Sequence, residues 1–187
     1  MIRRIKSLVL FHLLIMNLSL RSQIVVGDVK VPTVFQIEET TLILNGAGLR
    51  EKYFVDLYVL ALYLKVKSSD ALKIMHANEH MALKFSVVTN LLTSERMKET
   101  VDEGFTRSTN GNTAPIKNKI NQFKSAFSEE LKKGDVFDFV YDSSNGTHII
   151  KNNKLITTIQ GLDFKKALFG MWLYKKASDL QDKILGK

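Results

Sequence analysis

The stretch Leu44–Lys65, LNGAGLREKYFVDLYVLALYLK, decides the fold. Its two glycines, Gly46 and Gly48, allow a turn or a β-bulge. Tyr53–Val66 is then an apolar run whose hydrophobic positions occupy both alternating sets, the pattern of a strand buried on both faces or of a buried helix. Its Tyr, Phe and Val content favours a long strand. Upstream, Thr41–Leu44 reads as a strand leading in. Downstream, Ser69 or Asp70 can cap a short helix ending near His76, and Met81–Val88 alternates as the next strand.

The middle of the chain reads as helical. Thr93 or Ser94 suits an N-cap, and Met97, Val101 and Phe105 recur on one helical face. A second helix starts near Pro115, presents Ile116, Ile120, Phe123, Phe127 and Leu131, and is expected to end at Gly134 as a C-cap. Val136–Tyr141, Thr147–Lys151 and Leu155–Ile159 then read as a three-strand meander, joined by Asp142–Gly146 and by Asn152-Asn153. Asp163 is expected to cap a last helix with Ala167, Leu168, Met171 and Trp172 as its buried stripe. Strands, helices, strands, helix is the order of an α+β fold with a largely antiparallel sheet and helices on one face. It does not suggest a Rossmann arrangement.

The chain has 187 residues, 45% hydrophobic and 25% charged, which excludes a disordered or low-complexity protein and suits one domain. The absence of Cys excludes a disulfide scaffold, a thiolate zinc site and a cysteine nucleophile. Met1–Lys6 carries three basic residues, and Ser7–Met16 is almost wholly apolar before Arg21 ends the run. That is the pattern of a secretory signal peptide, too short for a membrane-spanning helix. The alternative is an uncleaved signal anchor. Cleavage after Gly27 puts Val25 and Gly27 at the small-residue positions, and cleavage after Ser22 also fits. Residues 1–27 are therefore read as signal peptide and 28–187 as the folded domain, periplasmic or secreted, with no stable membrane span once the signal is removed. Setting aside Arg3, Arg4, Lys6 and Arg21 leaves 23 basic against 19 acidic side chains. So small a surplus does not argue for a nucleic-acid partner.

No phosphate-binding, dinucleotide-binding, nucleophile-elbow or zinc-protease motif occurs, so no cofactor is expected. His76 and His80 have helical spacing but no evident third ligand, so no metal site is expected either. What stands out is Arg50, which follows the glycines and precedes the most apolar strand. An arginine at the mouth of an apolar cavity pairs with a carboxylate or enolate-like oxygen through a planar donor fork that stays charged. The plainer alternative is a surface residue paired with Glu51 or Asp56.

The same segment resembles the chalcone isomerase superfamily, particularly its bacterial chalcone-isomerase-like branch. The shared pattern is Gly46-Ala47-Gly48-Leu49-Arg50 followed by a long strand ending in Ala61-Leu62-Tyr63-Leu64. It continues through Leu83-Lys84-Phe85, Leu92-Thr93, the Met97–Phe105 helix, Ile159-Gln160-Gly161 and Leu168–Leu173. The resemblance covers roughly residues 40–187 and implies an open-faced β-sandwich, a large antiparallel sheet carrying a helical layer, with a ligand cleft between the two. In catalytic members the cleft arginine stabilises the negative charge that develops as a phenolate adds to an enone. Non-catalytic relatives hold a fatty-acid carboxylate there.

Carried over by position, the cleft arginine is Arg50. The strand threonine is replaced by Tyr58, and the helix tyrosine by Met97, which donates no hydrogen bond. Lys84 stands at a lysine of the next strand, and a substrate-contacting asparagine falls near Gly104. With the hydroxyl set depleted, the resemblance implies binding of a fatty acid or similar hydrophobic anion by Arg50, Tyr58, Lys84 and Met97, with Leu60 and Leu62 among the enclosing strand residues. The alternatives are an isomerase (intramolecular lyase) on an enone or flavonoid-like substrate, with Arg50 as the catalytic residue, and a structural or partner-binding envelope protein.

Overall fold

A computed structural model describes residues 22–175 and 179–187. Residues 1–21, with the basic and apolar stretch read above as a signal peptide, lie outside the described residues. The strands are β1 (Gln23–Val26), β2 (Val29–Pro32), β3 (Val34–Ile37), β4 (Thr40–Lys52), β5 (Val55–Leu64), β6 (Met81–Val87), β7 (Val136–Asp142), β8 (Gly146–Lys151) and β9 (Lys154–Ile159). The helices are α1 (Ala71–His76), α2 (Ser94–Ser108), α3 (Lys117–Lys124), α4 (Leu162–Leu173) and α5 (Leu180–Ile184). Strands β3 to β9 form one seven-stranded antiparallel sheet in chain order, and β1–β2 is a separate hairpin.

The sheet is apolar on both sides, which explains the unbroken hydrophobic run of β5. Tyr58, Leu60, Leu62 and Leu64 belong to the cluster shared with all five helices. Val59, Ala61 and Tyr63 belong to a second cluster on the other face, where Val26, Val29 and Val31 of the β1–β2 hairpin pack. Tyr63 Oη donates to the Pro32 carbonyl at 2.8 Å, tying the hairpin to the sheet. The boundary read at Gly27 falls in the turn of that hairpin, where Gly27 has φ +56°.

The glycine segment is not a turn. β4 runs through it, with an irregularity of register between Leu44 and Gly46. The glycines answer to a distant element instead. A Cβ on Gly46 would stand 2.2 Å from the Lys183 carbonyl oxygen, and one on Gly48 2.7 Å from Lys183 Cβ. Only bare backbone lets α5 lie on this strand. Between the register pairs, Asn45 donates to the Ile184 carbonyl at 2.8 Å and the Ser68 carbonyl at 3.0 Å, and accepts from Ser68 N at 2.8 Å.

Two other expectations are corrected. Ile116, Ile120, Phe123, Phe127 and Leu131 are all buried, but α3 stops at Lys124 and continues only as a 3₁₀ turn, Ser125–Phe127. Gly134 caps no helix; it sits at φ +97° in the loop before β7. Asp163 is not the cap of α4 but a first-turn residue, ion-paired with Lys119 at 2.6 Å, and Gly161 holds the N-cap position. Within α4, Lys165 is fully buried and donates to the carbonyls of Ile74, Met75 and Ala77 at 2.7, 3.0 and 2.8 Å, closing the C-terminal end of α1. Burial pushes its ammonium pKa down to about 7. Among the described residues no helix is long and apolar enough to cross a membrane.

Candidate functional site

A cavity of about 160 Å³ lies between the β4–β5 hairpin, α2 and α4. Its apolar wall is Phe85, Met97, Phe123, Phe127, Phe139 and Met171. Its polar side is Arg50, Lys52, Tyr58, Glu103, Arg107 and Trp172. The two sets come from elements far apart in sequence, brought together as α2 and α4 cover the helix-side face of the sheet.

Arg50 stands directly opposite Tyr58 in the β4–β5 ladder, just before the pairing shifts register. It is half-buried and makes no hydrogen bond or ion pair among the described residues. The plainer reading, a pair with Glu51 or Asp56, is therefore not what the structure shows. Tyr58 is buried with its ring 4.2 Å from that of Phe85. Its Oη accepts from Trp172 Nε1 at 3.1 Å, which leaves the phenolic proton free to be donated. Burial raises the phenol pKa, against the opposing effects of the Trp172 bond and the Arg50 and Arg107 charges, so the hydroxyl stays a donor at neutral pH. From α2, Arg107, a lining residue, uses one nitrogen to donate to the Met171 carbonyl at 2.6 Å, and the rest of its donor fork has no partner among the described residues. Glu103 is the one acidic side chain of the lining, against three cations.

The structure brings Arg50, Tyr58 and Met97 to this cavity and places Lys84 elsewhere. Phe85 faces the cavity, so the preceding residue faces the opposite side of the sheet. There Lys84 Nζ lies 2.6 Å from Asp138 and 5.3 Å from the Phe35 ring centroid. Leu60 and Leu62 are on the helix side but belong to solid core and do not line the cavity. No sequence motif singled out Arg107, and Trp172, read as part of the buried stripe of the last helix, packs against the core and also lines the cavity. Met97, Thr100, Gly104 and Arg107 recur at three- and four-residue intervals, so helical spacing from Met97 was the available signal for Arg107. Among the described residues no group of acidic or histidine side chains is arranged to hold a metal ion.

A family model described as chalcone isomerase-like matches residues 23–186. The chain belongs to the chalcone isomerase-like family. No curated protein matches this chalcone-isomerase-like chain by sequence. Among solved structures it is similar to a fatty-acid binding protein of Arabidopsis thaliana, with a TM-score of 0.71 over 88% of this chain and 96% of that one. At 13% identity that likeness shows the fold, the α+β arrangement of an antiparallel sheet under helices.

Proposed function

We propose that this chalcone-isomerase-like protein is an exported, non-catalytic binder of a fatty acid or a similar hydrophobic anion. The observation that carries the reading is a set of donors with capacity to spare, Arg50, the remainder of the Arg107 fork and the Tyr58 hydroxyl, lining a cavity whose apolar wall is mainly Phe and Met. Such a set complements an anionic oxygen whose remaining substituent is apolar. The similar Arabidopsis structure is that of a fatty-acid binding protein, which supports this reading.

The size of the cavity refines it. About 160 Å³ is close to what encloses a benzene ring. A long acyl chain enters only by displacing side chains, and Met97 and Met171 are the adaptable ones. Met97 also occupies the place where the family resemblance puts a hydrogen-bonding tyrosine, which is unfavourable for stabilising an enolate and favourable for lining an alkyl chain. For export, the signal-like first segment is the support, and cleavage after Ser22 leaves β1 intact whereas cleavage after Gly27 removes it.

The test is native mass spectrometry with lipid extraction on wild type and Arg50→Ala. A carboxylate lipid retained by wild type and lost from the variant is the expected result. Equal retention by both would refute the assignment.

A further inference from the structure

Among the described residues the most exposed aromatic side chains sit at the tip of the hairpin that carries Arg50 and Lys52 to the cavity. β4 and β5 are joined by a two-residue turn, Tyr53-Phe54, with φ +52° and +63°. A hairpin turn with both central residues left-handed normally carries Asn-Gly, because a Cβ is unfavourable there. Here it carries two aromatic rings, 85% and 99% exposed. Neither belongs to a core cluster, so folding gives no reason for them. A third apolar side chain, Leu91, is 58% exposed in the loop after β6. That loop is fastened to the hairpin near its tip by Val88 N donating to the Leu57 carbonyl at 3.1 Å, and its next residue, Leu92, lines the cavity.

The charges around the tip are sorted. Arg50 and Lys52 lie on the cavity side, where Arg107 joins them against Glu103. The acidic residues of the hairpin, Glu51 and Asp56, face each other across the ladder and do not line the cavity. The cavity mouth is thus cationic and bordered by exposed apolar rings, with Lys52 Nζ 5.5 Å from the Tyr53 ring centroid. Aromatic rings favour the headgroup level of a bilayer, and basic side chains are drawn to anionic headgroups.

We propose that the Tyr53-Phe54 tip docks on an anionic lipid surface and seats the cavity mouth against it, so that ligand passes between membrane and cavity without crossing water. The purpose of the docking rests on the lipid-binding reading above. The docking itself does not, and the two are separable by experiment.

The probe is Phe54→Trp in the full chain, mixed with phosphatidylcholine vesicles with and without phosphatidylserine. Emission of the new indole is expected to shift to the blue and to be quenched by brominated acyl chains. Partition should rise roughly fivefold for each basic side chain that reaches the anionic surface. Wild type, with Trp172 alone, supplies the background. Because the readout is local to the tip, membrane contact elsewhere in the chain does not imitate it. An indole unmoved by vesicles, or one that shifts with protein concentration in their absence, overturns the proposal, the latter in favour of self-association. A second variant, Tyr53→Asn with Phe54→Gly, suits the turn and keeps the fold. It should keep affinity for an anthroyloxy-labelled fatty acid in solution while its transfer to vesicles ceases to depend on vesicle concentration. Transfer unchanged in that variant also overturns the proposal. A tip that docks on a chain that binds no fatty acid refutes the ligand reading and leaves the docking in place.

Discussion

The two faces of the sheet each hold a cation among apolar side chains, and they treat it differently. On the back, Lys84 is bound to Asp138 and lies over Phe35. On the helix side, Arg50 lies at the edge of a cavity with no ion-pair partner among the described residues. A paired cation in a packed layer holds structure together. An unpaired one beside empty space is available to a ligand, and nothing in the residue types alone distinguishes the two.

The largest effect is expected on the back face. Lys84→Ala leaves Asp138 buried without its counter-charge, and such a break costs about 3 kcal/mol. Denaturant unfolding should show it, with fatty-acid affinity per folded molecule unchanged. Burial already raises the Asp138 pKa, and removing Lys84 raises it further. A carboxyl raised in the folded state is protonated there first. The deficit of the variant is therefore greatest at neutral pH and shrinks as pH falls through the folded pKa. The double variant Lys84→Met with Asp138→Leu should recover much of the loss.

On the cavity side the pattern should invert. Arg50→Ala is expected to change stability by less than about 0.5 kcal/mol, because the side chain has no partner to lose. It should weaken a carboxylate ligand by roughly 10- to 100-fold, the range for a hydrogen bond to a charged group. A variant that unfolds, or one with unaltered affinity, would erase the distinction between the faces. Tyr58→Phe should cost about 1 kcal/mol in each measurement, since it removes a donor to the ligand and the acceptor of Trp172. The smallest effect sharpens the size argument. A Cβ on Gly104 would meet Met171 Cε at 2.6 Å, the movable end of a flexible side chain. Gly104→Ala should push that methyl into the cavity and lower affinity for long acyl chains by about fourfold, one methylene's worth of burial. Titration calorimetry across chain lengths measures this.

The sequence was most informative where burial is periodic. α2 with its Thr93 cap and the β7–β9 meander lie where helical spacing and strand patterning put them, β5 lies where its β-branched and aromatic content put it, and α1 follows its Asp70 cap. It was least informative where a residue answers to something distant in the chain. Gly46 and Gly48 look like a turn until α5 is laid on them, and Lys165 looks like a surface residue until three carbonyls of α1 surround its ammonium. The site shows the same division. Arg50 was legible from its motif. Lys84 was assigned by position in a shared pattern, although strand alternation relative to Phe85 already placed it on the other face. Arg107 and Trp172 reach the cavity only because α2 and α4 pack together.

The contact between α5 and β4 also bears on the order of events as the chain is made. Asn45 and Ile184 are 139 residues apart, and the glycine strip between them is covered only by the helix of residues 180–184. Loop closure over so many residues is slow compared with local helix formation. During synthesis β4 therefore emerges long before the element that completes it. A nascent chain lacking only that helix still exposes bare backbone along the strand that carries Arg50, and the fold closes on its final turn rather than growing shut from the start.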